Sequence, residues 1–219
     1  EVLVENADKE LKRKVKLGKK IGKEMKKEYD DVRVLVYSVV KKTGIKKTPD
    51  LSEIGLGGSL EDKLNFVKAW TGKEISISDV FKNVKLVDVR GLTKGKGLEG
   101  PVKRLGIGLK SHKSEKGVRR PGSLGPWHPA HVTFRAPMAG QLGMFTRIHY
   151  NNLVLKVGKI SENNINPAAG FKNFGKIKED YVIVRGSVQG PQKRQLLISV
   201  PLRKTRKTEK RNYEFLELV

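Results

Sequence analysis

Apolar side chains recur at helical spacing in one early segment of the chain. Residues 59–72, "SLEDKLNFVKAWTG", place four of them on one helix face, namely Leu60, Leu64, Val67 and Trp70. Ser59 and Asp62 are predicted to form a capping box at the start, and Gly72 stands where a C-terminal cap belongs. We therefore expect a helix here, with Trp70 in the protein core.

Runs of β-branched and apolar residues predict short strands over much of the remaining chain. These runs lie at residues 32–40, 84–92, 147–158, 181–188 and 194–200. Within the third run, Asn151 and Asn152 predict a tight hairpin turn, because asparagine tolerates positive φ. Several short strands separated by turn signals are typical of a small β-barrel.

The pattern divides the chain into parts of different character. Residues 9–29 carry apolar side chains at near-helical spacing among many lysines, so residues 1–72 are expected to form a small α/β unit. Residues 73–92 and 147–200 hold the barrel strands, and residues 201–219 form a basic C-terminal tail. The predicted fold class is α+β, mostly β.

Residues 93–146, here called the finger, show little periodicity of either kind. Loops longer than about 12–15 residues without regular structure are uncommon inside compact domains, so a partner is expected to hold this segment. Its only acidic residues are Glu99 and Glu115. Its basic residues are Lys94, Lys96, Lys103, Arg104, Lys110, Lys113, Lys116, Arg119, Arg120 and Arg135. This composition favours binding to phosphate groups.

The charge of the whole chain indicates the same kind of partner. Lys+Arg number 46 against 23 Asp+Glu, a formal net charge of +23, and such an imbalance is usually tolerated because a polyanion neutralises it. Nucleic acid is the first candidate, and an anionic membrane surface is the second. No run of about 18 apolar residues predicts a membrane span. The chain has no cysteine, which removes disulfides and thiolate metal sites and fits a reducing compartment.

One tryptophan lies where neither a helix nor a strand is expected. In "RRPGSLGPWHPAH", residues 119–131, Pro126 and Pro129 restrict the backbone on both sides of Trp127. An indole presented in this way can stack on a nucleobase, for about 1–3 kcal/mol. The alternative is that Trp127 packs back against its own domain, but few apolar residues lie nearby in the sequence.

Two motifs that resemble catalytic or cofactor sites lack the context that such sites need. "GKGLEG", residues 95–100, fits the dinucleotide-binding pattern, but the helix predicted after Pro101 ends within two turns. His128 and His131 have the spacing of metal ligands without a third ligand nearby. No nucleophile or carboxylate pair stands out, so the sequence predicts no enzyme, no cofactor, no metal and no small-molecule substrate.

Four motifs resemble the large-subunit ribosomal protein L three family, in its archaeal and eukaryotic form. They are "TKGKGLEGPVKR" at residues 93–104, "GSLGPWHPAHV" at 122–132, "MAGQLG" at 138–143 and "GSVQGPQKR" at 186–194. The resemblance implies a translation-factor-like β-barrel and a small α/β insertion. It also implies further residues, including the first barrel strands, ahead of the position that Glu1 occupies. The sequence leaves open whether that portion is encoded separately.

The resemblance also implies a function. Family members are cytoplasmic, as part of the ribosome, where they bind ribosomal RNA and neighbouring large-subunit proteins and support subunit assembly. Trp127 corresponds to the fingertip tryptophan near the peptidyl transferase centre, and Gln141 to a glutamine that is methylated in bacterial relatives. Charge and resemblance together predict RNA contacts by Lys94, Lys96, Lys103, Arg104, Lys110, Lys113, Lys116, Arg119, Arg120, Trp127, His128, His131, Arg135, Gln141, Arg147, Lys193 and Arg194. The alternative is a free-standing RNA-binding or RNA-chaperone module.

Overall fold

The computed structural model describes residues 9, 11–15, 30–81, 83–211, 213 and 215–216. A 3-10 turn spans Leu11–Arg13, and residues 10 and 16–29 of the helix predicted over residues 9–29 lie outside the described residues. In chain order, the other elements are β1 (Arg33–Tyr37), α1 (Val40–Thr43), β2 (Leu51–Gly55), α2 (Leu60–Trp70), α3 (Ile77–Phe81), β3 (Leu86–Leu92), β4 (Leu98–Glu99), α4 (Pro101–Leu105), β5 (Gly140–Gln141), β6 (Thr146–Gly158), β7 (Tyr181–Val184), β8 (Leu197–Ser199) and α5 (Arg206–Glu209).

The early part of the described chain contains a two-stranded antiparallel sheet and three helices. Strands β1 and β2 pair from Arg33 opposite Gly55 to Tyr37 opposite Leu51. The helix predicted over residues 59–72 is confirmed as α2, because Ser59 Oγ accepts a hydrogen bond from the Asp62 amide. Strand β2 and helix α3 lie outside the segments that periodicity predicted.

The prediction that Trp70 lies in the core is wrong. The side chain is 36% exposed, and α2 has no fully buried residue. Trp70 packs against Phe66 of the same helix, with ring centroids 6.0 Å apart. The apolar residues do lie on one helical face, but no residue of α2 is fully buried, so no other element covers that face completely.

The main core lies in a four-stranded antiparallel sheet. Its strand order is β7-β6-β3-β8, so the predicted strands at residues 84–92, 147–158, 181–188 and 194–200 are confirmed, some in shortened form. Strand β3 is central, and its first four residues are buried on both faces of the sheet. The buried apolar side chains include Leu86, Val87, Val89, Leu153 and Tyr181. Within the described residues this sheet is open, so the predicted closed barrel is not present there.

The hairpin turn predicted at Asn151 and Asn152 is wrong. Strand β6 runs through both residues, and the pairing register with β3 shifts by one residue at this point. Asn151 adopts φ 54°, and its amide donates to Oδ1 of the buried Asp88 at 2.8 Å. The asparagine pair indicated a residue with positive φ, and such a residue occurs in a β-bulge as well as in a hairpin turn.

Candidate nucleic-acid interface

The finger leaves the main sheet at the end of β3 and returns to it at the start of β6. Its base is a narrow two-stranded ladder in which β4 pairs with β5. The Lys96 amide donates to the Leu142 carbonyl, and the Leu142 amide donates to the Gly97 carbonyl, each at 2.9 Å. Lys94 and Lys96, which precede β4, are both exposed residues.

Arg104 fastens the two arms of the finger base together. From α4, its Nε donates to the Gln141 carbonyl at 3.1 Å and its Nη1 to the Met138 carbonyl at 3.0 Å. The guanidinium lies so close to Gly140 that an added Cβ there would be 2.9 Å from Arg104 Cζ. The sequence predicted that Arg104 contacts RNA; the structure places its donors on protein carbonyls.

The length of helix α4 bears on whether "GKGLEG", residues 95–100, could bind a dinucleotide. The helix begins at Pro101 and ends at Leu105, as predicted, so it is only five residues long. Lys103 on this helix forms an ion pair with Glu99. The dinucleotide pattern needs a longer helix whose N-terminus faces the pyrophosphate, so that interpretation has no structural support.

Beyond α4, residues 106–139 contain neither helix nor strand. A local turn is closed where the Lys110 amide donates to the Val118 carbonyl at 3.0 Å. Every predicted basic contact in this stretch is exposed, namely Lys110, Lys113, Lys116, Arg119, Arg120 and Arg135. The stretch is therefore a chain of turns with cations directed to solvent and little apolar packing of its own.

Trp127 lies in this stretch and is 86% exposed. The alternative in which the indole packs against its own domain is therefore not what the structure has. Phe134 is fully exposed as well, although periodicity gave no reason to single it out. An aromatic residue next to Arg135 in an otherwise polar stretch is the sequence signal that would have identified it.

Two histidines follow Trp127 within this stretch. His128 and His131 are both exposed, and the His131 amide donates to the Pro129 carbonyl at 2.7 Å. The described part of the chain contains no group of three side chains suited to hold a metal ion. Among the same residues, no helix has the length and apolar character needed to cross a bilayer.

Gln141 and Arg147 lie where the finger rejoins the main sheet. Gln141 Nε2 donates to the Gly143 carbonyl at 3.0 Å. The Arg147 guanidinium lies 5.1 Å from the Phe145 ring centroid, and its Nη1 donates to the Thr146 carbonyl. Both side chains are exposed, so they can also reach an external partner.

Lys193 and Arg194 lie away from the fingertip, on the loop that leads into β8. They line a groove of about 600 Å³ between β2 and the main sheet, together with Arg90. Lys193 adopts φ 66°, and both side chains are exposed. No residue of 106–139 lines this groove.

The sequence matches one protein family over almost its whole length. Residues 4–218 match the family described as Ribosomal protein L3. Similar curated proteins named "Large ribosomal subunit protein uL3" come from archaea. The protein of Methanocaldococcus jannaschii is 44% identical over 93% of this chain, and that of Methanobrevibacter smithii is 39% identical over 95%.

This chain is shorter than those relatives. It spans 64% of the Methanocaldococcus protein and 66% of the Methanobrevibacter protein. A third relative, from Methanococcus vannielii, is 43% identical over 90% of this chain, which spans 62% of that protein. The match covers the α/β unit, the main sheet and the finger alike. The chain belongs to the ribosomal protein L3 family.

Proposed function

We propose that this chain is a structural, RNA-binding constituent of the large ribosomal subunit, acting in the cytoplasm without catalytic activity of its own. Its finger binds large-subunit ribosomal RNA, supports subunit assembly and buttresses the peptidyl transferase centre. The names of the archaeal relatives support the ribosomal part of this proposal. The shape and charge of the finger support the part that concerns RNA.

The cations of the finger are available to an external polyanion. Two of its ten basic side chains already have protein partners, since Arg104 is bound to carbonyl groups and Lys103 to Glu99. The other eight form no ion pair with another described residue: Lys94, Lys96, Lys110, Lys113, Lys116, Arg119, Arg120 and Arg135. Contacts to eight single-stranded phosphates would give a slope of log affinity against log salt of roughly −6.

The exposure of Trp127 is the observation that carries the proposal. An indole that is 86% exposed leaves most of a large apolar surface in water. Stacking on a base at the end of a cationic arm would remove that surface from water while the arm neutralises the phosphates. The same arrangement gives a protein without a catalytic group a way to stiffen RNA around a catalytic centre.

Subunit reconstitution tests this proposal. Archaeal large subunits are assembled with the complete protein carrying either Trp127→Ala or the matched variant Leu98→Ala, which truncates another exposed apolar side chain, 80% exposed. We expect both proteins to comigrate with large subunits on a sucrose gradient. We expect Trp127→Ala alone to slow peptidyl transfer or tRNA accommodation.

Two results would contradict the proposal. If the protein binds RNA with a steep salt dependence but never comigrates with large subunits, it is a free-standing RNA-binding module. If Trp127→Ala subunits translate at the rate of the Leu98→Ala subunits, the indole does not buttress the RNA.

A further inference from the structure

The described residues of the basic tail contact the main sheet. Its first residue, Pro201, is buried, and one helical turn, α5, follows at Arg206–Glu209. Residues 203–211 read "RKTRKTEKR", which contains no apolar side chain that could pack against the sheet. Contacts at two separate places explain why this polar segment lies where it does.

Asn151 makes the first of these contacts. Its Nδ2 donates to the Arg203 carbonyl at 3.0 Å, and its Oδ1 accepts from the Thr205 amide at 3.2 Å. The Asn151 side-chain amide group therefore pairs with one backbone carbonyl and one backbone amide of the tail, as the backbone of a neighbouring strand would. It is aimed there by the β-bulge in β6, where Asp88 binds the Asn151 amide.

Aromatic residues make the second contact, farther along the tail. Arg185 lies 5.3 Å from the Tyr213 ring centroid and donates to its hydroxyl at 2.8 Å. Lys156 Nζ lies 5.2 Å from the Phe215 ring centroid. The pKa of the Tyr213 phenol is lowered, first by a hydrogen bond from Arg211 and then by the charge of Arg185. Cation–π contacts of this kind contribute about 0.5–1 kcal/mol each at exposed sites.

Between the two anchors the tail carries an almost uniform charge. Its single acid there, Glu209, lies 3.5 Å from Lys204. Its cations are Arg203, Lys204, Arg206, Lys207, Lys210 and Arg211. An unanchored cationic segment would lose conformational entropy on binding, and the anchors reduce that loss.

We propose that the docked tail is a second phosphate-binding surface, separate from the finger, and that Asn151 is its positioning residue. This inference rests on the proposed RNA-binding function and adds a second surface to it. Nucleic acid suits the surface better than a protein does, because six cations against one acid match a regular row of phosphates.

Charge variants of the tail test the surface directly. The probe is an in vitro transcript of the large-subunit ribosomal RNA of Methanocaldococcus jannaschii. The affinity of the complete chain for it is measured between roughly 50 and 300 mM salt, because the slope of log affinity against log salt reports the number of phosphate contacts. The tail variant carries Arg206→Gln, Lys207→Gln and Lys210→Gln. We expect its salt slope to become shallower by about 2, since each single-strand phosphate contact contributes about 0.7.

A matched variant separates a specific surface from total charge. Lys159→Gln, Lys172→Gln and Lys176→Gln remove the same charge from three exposed lysines outside the tail. If this control flattens the slope as much as the tail variant does, only net charge matters and the inference is overturned. If the tail variant leaves the slope unchanged, the inference is overturned as well.

Asn151→Gly tests the positioning role without removing any charge. Glycine keeps the left-handed backbone at φ 54° and loses both side-chain hydrogen bonds to the tail. We expect faster hydrogen exchange at the Thr205 amide and RNA affinity weakened several-fold at low salt. Unchanged exchange and affinity would exclude Asn151 as a positioning residue.

A parallel finger variant keeps this inference distinct from the proposed function. Lys113→Gln, Lys116→Gln and Arg119→Gln remove three exposed cations of the finger. If these changes weaken binding and the tail changes do not, the finger proposal survives and the tail inference fails. If the tail changes alone weaken binding, the tail inference survives and the finger proposal fails.

Discussion

Lys94 and Gly143 approach each other so closely at the base of the finger that no side chain fits at Gly143. An added Cβ would lie 2.0 Å from the Lys94 carbonyl oxygen. Gly143 is buried and adopts φ 77°, a left-handed conformation that costs other residues roughly 1–2 kcal/mol. The crossing of the two finger arms therefore depends on a glycine for two separate reasons.

Gly143→Ala is expected to open the base of the finger. The substitution combines left-handed strain with an overlap against the Lys94 carbonyl, which is relieved only if the backbone shifts. Hydrogen exchange at the Lys96 amide, which donates to the Leu142 carbonyl, reports this opening. We expect exchange there to accelerate by at least the factor of about ten that corresponds to 1.4 kcal/mol.

Gly97→Ala is the matched control for that prediction. Gly97 has a similar φ of 69°, but nothing lies within 4 Å of an added Cβ. Gly97→Ala therefore introduces the backbone strain without the overlap, and we expect it to accelerate hydrogen exchange at the Lys96 amide less than Gly143→Ala does. Equal effects of the two substitutions would show that the close approach to Lys94 is unimportant.

Arg104→Lys is expected to weaken the finger base although it preserves the charge. A lysine ammonium cannot reproduce the planar fork that joins the Gln141 and Met138 carbonyls. Loss of such hydrogen bonds costs about 1–3 kcal/mol. Hydrogen exchange at the Leu142 amide measures this cost, with Lys103→Ala as the control.

Lys103→Ala removes a side chain from the same helix. Its pair with Glu99 is partly exposed, with the Lys103 side chain open to solvent, and pairs of this kind at the surface contribute about 0–1 kcal/mol. Exchange at the Leu142 amide should change little. If Lys103→Ala had the larger effect of the two, α4 would be fastened by its ion pair and not by Arg104.

The sequence predicted the elements of this fold better than their assembly. Ser59 and the strand-forming runs specify local structure through their own backbone and side-chain preferences, so α2, β3 and β7 were predictable. Trp70 was misplaced because helical periodicity identifies an apolar face without saying how wide a surface will cover it. Asn151 was misread because a hairpin turn and a β-bulge share the same φ.

In the candidate interface too, local features were predictable from the sequence and long-range contacts were not. Net charge and the isolation of Trp127 between prolines are visible in the sequence, and so the finger was predictable as a candidate RNA-binding arm. The inward hydrogen bonds of Arg104 depend on which carbonyl groups the return arm brings close. The docking of the tail by Asn151 joins residues more than fifty positions apart, and no local pattern encodes such a pairing.

Asp31 links β1 to α2 through charge, and this predicts a pH dependence. The hydrogen bond from Lys63, aided by one from Arg33, lowers the pKa of the Asp31 carboxyl from 3.8 to about 2. A lowered folded-state pKa stabilises the fold above pH 3.8, and that contribution is lost as pH falls through about 2. NMR titration of the carboxyl carbon measures the midpoint.

Lys63→Met provides the check on that titration. It removes the largest cause of the shift while keeping the apolar stem, so the Asp31 midpoint should move back toward 3.8. A wild-type midpoint near 3.8 would mean that the Lys63 and Arg33 contacts do not persist in solution.

Hydrogen exchange of the finger, with and without large-subunit ribosomal RNA, tests the central claim most directly. Residues 106–139 have few backbone hydrogen bonds of their own, whereas β3 is paired with both β6 and β8 and its first four residues are buried. We predict fast exchange over residues 106–139 in the free protein, strong protection when RNA is bound, and little change at the Val89 amide. Strong protection of residues 106–139 in the free protein, unaltered by RNA, would contradict the account.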